Sequence, residues 1–185
     1  MPTPRIKLQQ LFVVAGCLLL AAVAAAAEPQ VVKVIWDGAA PQGKPYVSAD
    51  MTWTDAGKDG ARSVWRLAGK PKDPASNSWV SLYLDEAQDW STGTALVLTV
   101  RGTAGQRWIC EINDDLPIER FVHEFTIAGD GWQEVRLVLA DFSRRKNQDA
   151  KALDDGLGLV RMHGFGLISV TGAASIDLAR AVVVK

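Results

Sequence analysis

The chain is poor in groups that react or titrate near neutral pH. Two Cys, two His and two Tyr stand among 185 residues. The two histidines, His123 and His163, lie 40 positions apart, in no metal-site spacing with each other. Neither sign of charge is in excess: 20 Lys and Arg face 21 Asp and Glu. That balance excludes a nucleic-acid binder working through a basic stripe. Enzyme signatures are missing as well. There is no G-x-S-x-G, no H-E-x-x-H, no P-loop and no C-x-x-C. Internal repeats are absent, and no helical pattern of 10–15 residues separates the apolar runs, which disfavours a parallel α/β fold.

What the chain does have is tryptophan, seven in all. It also has an unusual first 27 residues. Arg5 and Lys7 form a basic start, Leu11 to Val23 is apolar except for Gly16, and Ala25-Ala26-Ala27 fits a small-residue cleavage site. The segment holds no acid. It reads as a cleavable signal helix for export to the periplasm or beyond the cell. Two alternatives stand beside this. Val14-Ala15-Gly16-Cys17 has lipobox spacing, which would anchor the chain by lipid at Cys17. An uncleaved anchor is the other, although the stretch is at the short limit for a span.

Removing residues 1–27 takes away Arg5 and Lys7, so 18 basic residues then face 21 acidic ones, a net charge of −3. Residues 28–185 fit a single domain with a sizeable core. Cys17 leaves with the signal, so Cys110 has no partner for an intrachain disulfide. Within Trp108-Ile109-Cys110-Glu111-Ile112 it reads as a small buried strand residue.

Short runs rich in Val, Ile, Trp and Leu, separated by Gly, Pro, Asp and Asn, predict about ten strands. They are Val31–Trp36, Val47–Thr54, Arg62–Leu67, Trp79–Leu84, Ala95–Arg101, Gln106–Asn113, Arg120–Ile127, Trp132–Leu139, Gly164–Val170 and Ser175–Val184. Ala140–Phe142 suits a short helical turn, and Arg144-Arg145-Lys146 reads as the start of a solvated loop. The expected fold is all-β, an antiparallel β-sandwich.

Several segments carry a resemblance. Gly131-Trp132-Gln133-Glu134-Val135-Arg136-Leu137-Val138-Leu139-Ala140-Asp141-Phe142 is similar to the "W-q-x-v-x-i-p-l-s-d-F" strand of galactose-binding-like jelly rolls. Asp89–Gly102 resembles their "d-l-S-x-y-x-x-L-x-l-x-v-r-G" strand. His163–Ile168 resembles a late strand, and Ser175–Val182 the closing strand. The branches it looks like are the complex I intermediate-associated protein 30 family and the family 11 type of carbohydrate-binding module. The resemblance covers about residues 31–184. It implies a jelly roll, usually non-catalytic, with a ligand on the concave sheet. The closing strand has Asp177-Leu178 where many sugar modules have two acids. The segment after the first strand, Asp37–Gly43, lacks the Gly-rich pattern of the intermediate-associated proteins.

Sugar C–H faces stack on aromatic rings while polar neighbours bond the hydroxyls. Alternation puts Trp79 and Tyr83 on one face with Ser81, a mixed surface suited to that task. Trp53 and Trp90 flank loops and read as rim stackers. Arg62, Arg66, Arg107, Glu111 and Asn113 lie on non-core faces, where they could bond hydroxyls or simply face water. His123 is either an ordinary strand residue or a ligand contact on the same sheet. Trp65, Trp108 and Trp132 read as core rings. Asp37 and Asp177 could hold a structural calcium if the first and last strands meet, since Ca²⁺ takes six to eight oxygens; Asn113-Asp114-Asp115 is a second acidic loop. No other cofactor is implied. The reading is an exported, non-catalytic module that binds carbohydrate, with no nucleic-acid partner. The alternative is a protein-assembly domain of the intermediate-associated type. A glycan-active enzyme using Glu111 and Glu124 is disfavoured.

Overall fold

The computed structural model describes residues 28–38, 43–69, 79–114, 119–170 and 174–185. The signal segment with Cys17, the loop at 71–77 and Asp115 lie outside the described residues. Among the described residues twelve strands form two six-stranded sheets. In chain order they are β1 (Val31–Trp36), β2 (Gly43–Val47), β3 (Met51–Asp59), β4 (Arg62–Gly69), β5 (Trp79–Gln88) and β6 (Ala95–Gly102). They continue as β7 (Arg107–Asp114), β8 (Glu119–Thr126), β9 (Gln133–Val138), β10 (Ser143–Arg144), β11 (Met162–Ser169) and β12 (Ala174–Val184). The first sheet runs β3-β4-β12-β6-β9, with β1 also paired to β12. The second runs β10-β8-β7-β11-β5-β2. Every pairing is antiparallel. The expected antiparallel jelly-roll sandwich is what the chain forms.

Period-2 alternation builds the core between the sheets. In β7, Trp108, Cys110 and Ile112 point inward and are fully buried. Leu96, Leu98 and Val100 of β6 meet them from the other sheet, with Ile176 and Leu178 of β12 in the same core. Trp36, Trp53 and Trp65 pack edge to face, with centroids 5.5–6.1 Å apart. Burial pushes the Cys110 thiol pKa up, so it is protonated and inert.

The expected strand Val47–Thr54 is in fact two strands in different sheets. The chain turns at Ser48–Asp50, where Met51 N–H donates to the Ser48 carbonyl at 3.0 Å and the Ser48 hydroxyl to Asp50 at 2.7 Å. Asp55-Ala56-Gly57 does not end β3; it makes a bulge, with Gly57 at φ +80°. The turn expected at 140–142 is a 3₁₀ turn, Leu139–Asp141.

Candidate functional site

The predicted site residues divide among the outer face of the second sheet, the outer face of the first, and the interior. The second sheet's outer face is read across its register. One row runs Tyr46, Ser81, Gly166, Glu111, Val122. The next runs Lys44, Tyr83, Gly164, Asn113, Arg120. Trp79 opposes Ile168 in a third. The central strand therefore contributes glycine in two successive rows. A Cβ at Gly164 would lie 2.4 Å from the Leu82 carbonyl oxygen, and one at Gly166 2.7 Å from that of Val80. The absence of side chains lets β11 close on β5, and it leaves a bare strip between the aromatic column and Glu111.

Over this strip lies a concavity of about 230 Å³, lined by Trp79, Ser81, Tyr83, Glu111, Arg120, Arg145 and Ile168. Trp79 is 38% exposed. Tyr83 is half-buried and meets Tyr46 edge to face at 5.3 Å. Glu111 is buried, yet it points to this outer face. Arg145 donates to one of its oxygens at 2.5 Å, and the Arg120 guanidinium is 3.8 Å from the other. Arg145 gets there because its backbone N–H bonds the Arg120 carbonyl at 2.9 Å, which extends the sheet beyond β10. The basic triplet is thus no solvated loop: Arg145 reaches Glu111, and Arg144 ion-pairs with buried Glu119.

Trp79, Ser81 and Tyr83 share this face, and strand pairing through β11 brings Glu111 to it. Arg107 shares the face but is engaged by Glu124, whose carboxyl it holds below the usual range. Asn113 is fully buried beside the strip, and neither amide atom has a hydrogen-bond partner among the described residues. Tyr46, Arg120 and Arg145 were missed, because they join the face only through strand pairing.

Arg62 and Arg66 lie on the opposite side of the molecule. On the first sheet's outer face, Asp177 accepts from Arg66 Nε at 2.7 Å and Nη2 at 3.0 Å, and from Arg101 Nη2 at 2.9 Å. Burial pushes the Asp177 carboxyl up, but these bonds outweigh it and leave it below the usual carboxylate range. Arg101 also bonds Asp59, which accepts from Trp132 Nε1 at 2.9 Å. The guanidiniums of Arg101 and Arg62 sit 4.7 and 5.7 Å from the Trp132 ring. Trp132 is therefore a surface ring and not a core one. Asp177 is thus engaged by two guanidiniums of its own sheet. Among the described residues no cluster of three His, Cys, Asp or Glu could hold a metal. Asp37, the other predicted ligand, lines a separate concavity of about 360 Å³ with Arg62, Trp132, Glu134 and Arg180.

Three predicted contacts lie on the core side of their strands or between them, Trp90 buried and Trp53 and His123 half-buried. Trp90 is 0% exposed and donates from Nε1 to Gln88 at 3.1 Å, so it is a core ring and not a rim stacker. Trp53 packs against Trp36 and Trp65, again on the core side. His123 shares the inward side of β8 with Phe121 and Phe125, packing on Phe142 at 5.3 Å. It faces away from Glu111.

Solved structures with a similar fold include carbohydrate-binding modules. The family 11 carbohydrate-binding module of a cellulosomal cellulase of Clostridium thermocellum matches with a TM-score of 0.64 at 13% identity, over 83% of this chain and 94% of that one. The Clostridium thermocellum family 11 module in complex with a β-1,3-1,4-mixed-linked tetrasaccharide gives 0.62 at 12% identity, over 76% and 87%. An agarase gives 0.60 at 12% identity, over 84% of this chain but 25% of the enzyme. The fold is therefore that of carbohydrate-binding modules. Residues 66–175 match the model of the complex I intermediate-associated protein 30 family, and the chain belongs to that family. The matched span contains Trp79, Tyr83, Glu111, Arg120 and Arg145. No curated protein matches the sequence.

Proposed function

We propose that the chain is a non-catalytic module that binds carbohydrate on the outer face of its second sheet. The observation that carries this is the pocket itself. Trp79 and Tyr83 offer ring surface at one side of a glycine strip, and Glu111, Arg120 and Arg145 offer hydrogen-bonding groups at the other. Stacking with flanking polar groups is the chemistry sugar recognition needs. The Trp132 face is a poorer platform, because guanidiniums already cover its ring. Hydrolysis is not supported. A glycosidase acid needs a raised pKa, and Arg107 moves Glu124 the other way.

Residues 1–27 act as the export signal in this reading, delivering the domain 28–185 to the periplasm or medium. Cell fractionation with N-terminal sequencing tests that part; a mature chain starting at Glu28 is expected. A glycan array with the purified protein tests the ligand. Binding to at least one glycan class, lost in Trp79→Ala and Tyr83→Ala, is expected; no binding to any glycan would sink the proposal.

A second reading follows from the family, whose name denotes association with an assembly intermediate. One observation favours it: the edge strand β2 exposes Tyr46 and Val47 beside Trp79, each 38–45% accessible, as an apolar rim. A partner protein retained by the wild type and lost in Tyr46→Ser would support that reading over the sugar.

A further inference from the structure

Resting on that sugar-binding reading, we infer that the ligand is an anionic saccharide, its acid group held by Arg145 and Arg120. The lining of the pocket contains two guanidiniums and one carboxylate, so it carries one net positive charge within a chain whose residues 28–185 sum to −3. Lys44 adds a further cation in the row of Tyr83, near the Tyr46 ring at 5.4 Å. Asp85, two residues on from Tyr83 on the same strand, and the Arg107–Glu124 pair complete the charges around the face.

Glu111 does not use up the arginines. Arg145 gives it one N–H at 2.5 Å, and Arg120 stands off at 3.8 Å. A guanidinium has five N–H donors, so most of the donors on this pair are left over. The two side chains are 35% and 30% exposed, half in the pocket wall and half open to a ligand. Glu111 has a positioning role: a buried carboxylate holds both forks on the rim of the glycine strip. A planar carboxylate matches such a fork in two parallel charge-assisted hydrogen bonds, roughly twice as strong as those a neutral hydroxyl accepts.

The test is isothermal titration of the purified chain against three probes: oligogalacturonate, which carries carboxylates, dextran sulfate, and neutral mixed-linkage β-glucan oligosaccharide. Oligogalacturonate is expected to bind most tightly and to weaken as salt rises. Arg145→Gln and Arg120→Gln should each weaken it about tenfold or more, while Arg145→Lys, keeping charge but not the fork, falls between. Arg136→Gln removes a cation from the other sheet and should change nothing. Thermal unfolding of each variant separates lost contacts from lost fold. Equal or tighter binding of the neutral glucan would overturn the anionic assignment and leave the sugar-binding proposal standing. Preference for dextran sulfate would overturn the carboxylate match. Binding of none of the three, together with an empty glycan array, would overturn both readings.

Discussion

Asp177 is the residue whose removal has the most calculable consequence. Its carboxylate ties β12 to β4 through Arg66 and to β6 through Arg101, the two strands that flank it in the first sheet. Replacing it by Asn keeps the shape and removes the charge. Stripping one partner from a fully buried ion pair costs about 3–5 kcal/mol, whereas an exposed pair is worth about 1 kcal/mol or less. Here the carboxylate side chain is only 7% exposed, but Arg66 and Arg101 are 50% and 33% exposed. The freed guanidiniums can therefore turn to water, and the cost falls between those limits, at about 2 kcal/mol. For a domain of this size that lowers Tm by about 4–8 °C. The sign with pH is fixed by the lowered carboxyl. A group whose folded pKa is depressed contributes stability above its unfolded value and loses it as pH falls through the folded one. Wild type and Asp177→Asn should thus differ at pH 7, converge once pH drops below about 4, and coincide at lower pH. Thermal unfolding by circular dichroism at both pH values is the assay. A difference below about 1 °C at pH 7, or one that persists unchanged in acid, would refute the clamp as a source of stability.

The remaining perturbations separate core from site. Trp90→Ala empties a fully buried ring position and should cost about 3–5 kcal/mol, whereas Trp79→Ala, at a partly exposed ring, should leave Tm within a few degrees; chemical denaturation distinguishes them. Gly164→Ala forces a Cβ against the Leu82 carbonyl and should destabilise by about 1–3 kcal/mol, with slower recovery of native fluorescence on refolding. Cys110 should resist a thiol reagent in the native protein and react only in denaturant; prompt labelling at pH 8 would contradict its burial.

Most strands were readable because alternation in them is strict. Arg107 to Asn113 sorts into Trp108, Cys110 and Ile112 on one side and Arg107, Glu111 and Asn113 on the other, and the fold keeps that division. Single-strand patterns say which residues share a face, and this is how Trp79, Tyr83 and Ser81 were grouped. They do not say which strands pair, so Arg120, Arg145 and Tyr46 could not be placed with them, nor could Arg62 and Arg66 be separated from Arg107, Glu111 and Asn113 on the other sheet. Loop tryptophans misled in a different way. Trp90 sits between strands, where exposure is the usual expectation, yet its ring closes the sandwich while its N–H reaches Gln88. Trp132 did the reverse: a position at the start of a strand suggested the core, and the cations of Arg101 and Arg62 hold it outside. The ion pairs of Asp177 were not legible in sequence, because its two guanidinium partners lie 111 and 76 residues away.

The central claim is that the glycine-floored face of the second sheet is where the ligand lies. Backbone amide chemical-shift mapping by NMR, with a saccharide that binds, tests it directly. Shifts concentrated at Trp79, Ser81, Tyr83, Gly164, Gly166 and Arg145 are predicted. Shifts concentrated instead at Asp59, Arg62, Arg101, Trp132 and Asp177 would place the ligand on the opposite sheet and contradict the account.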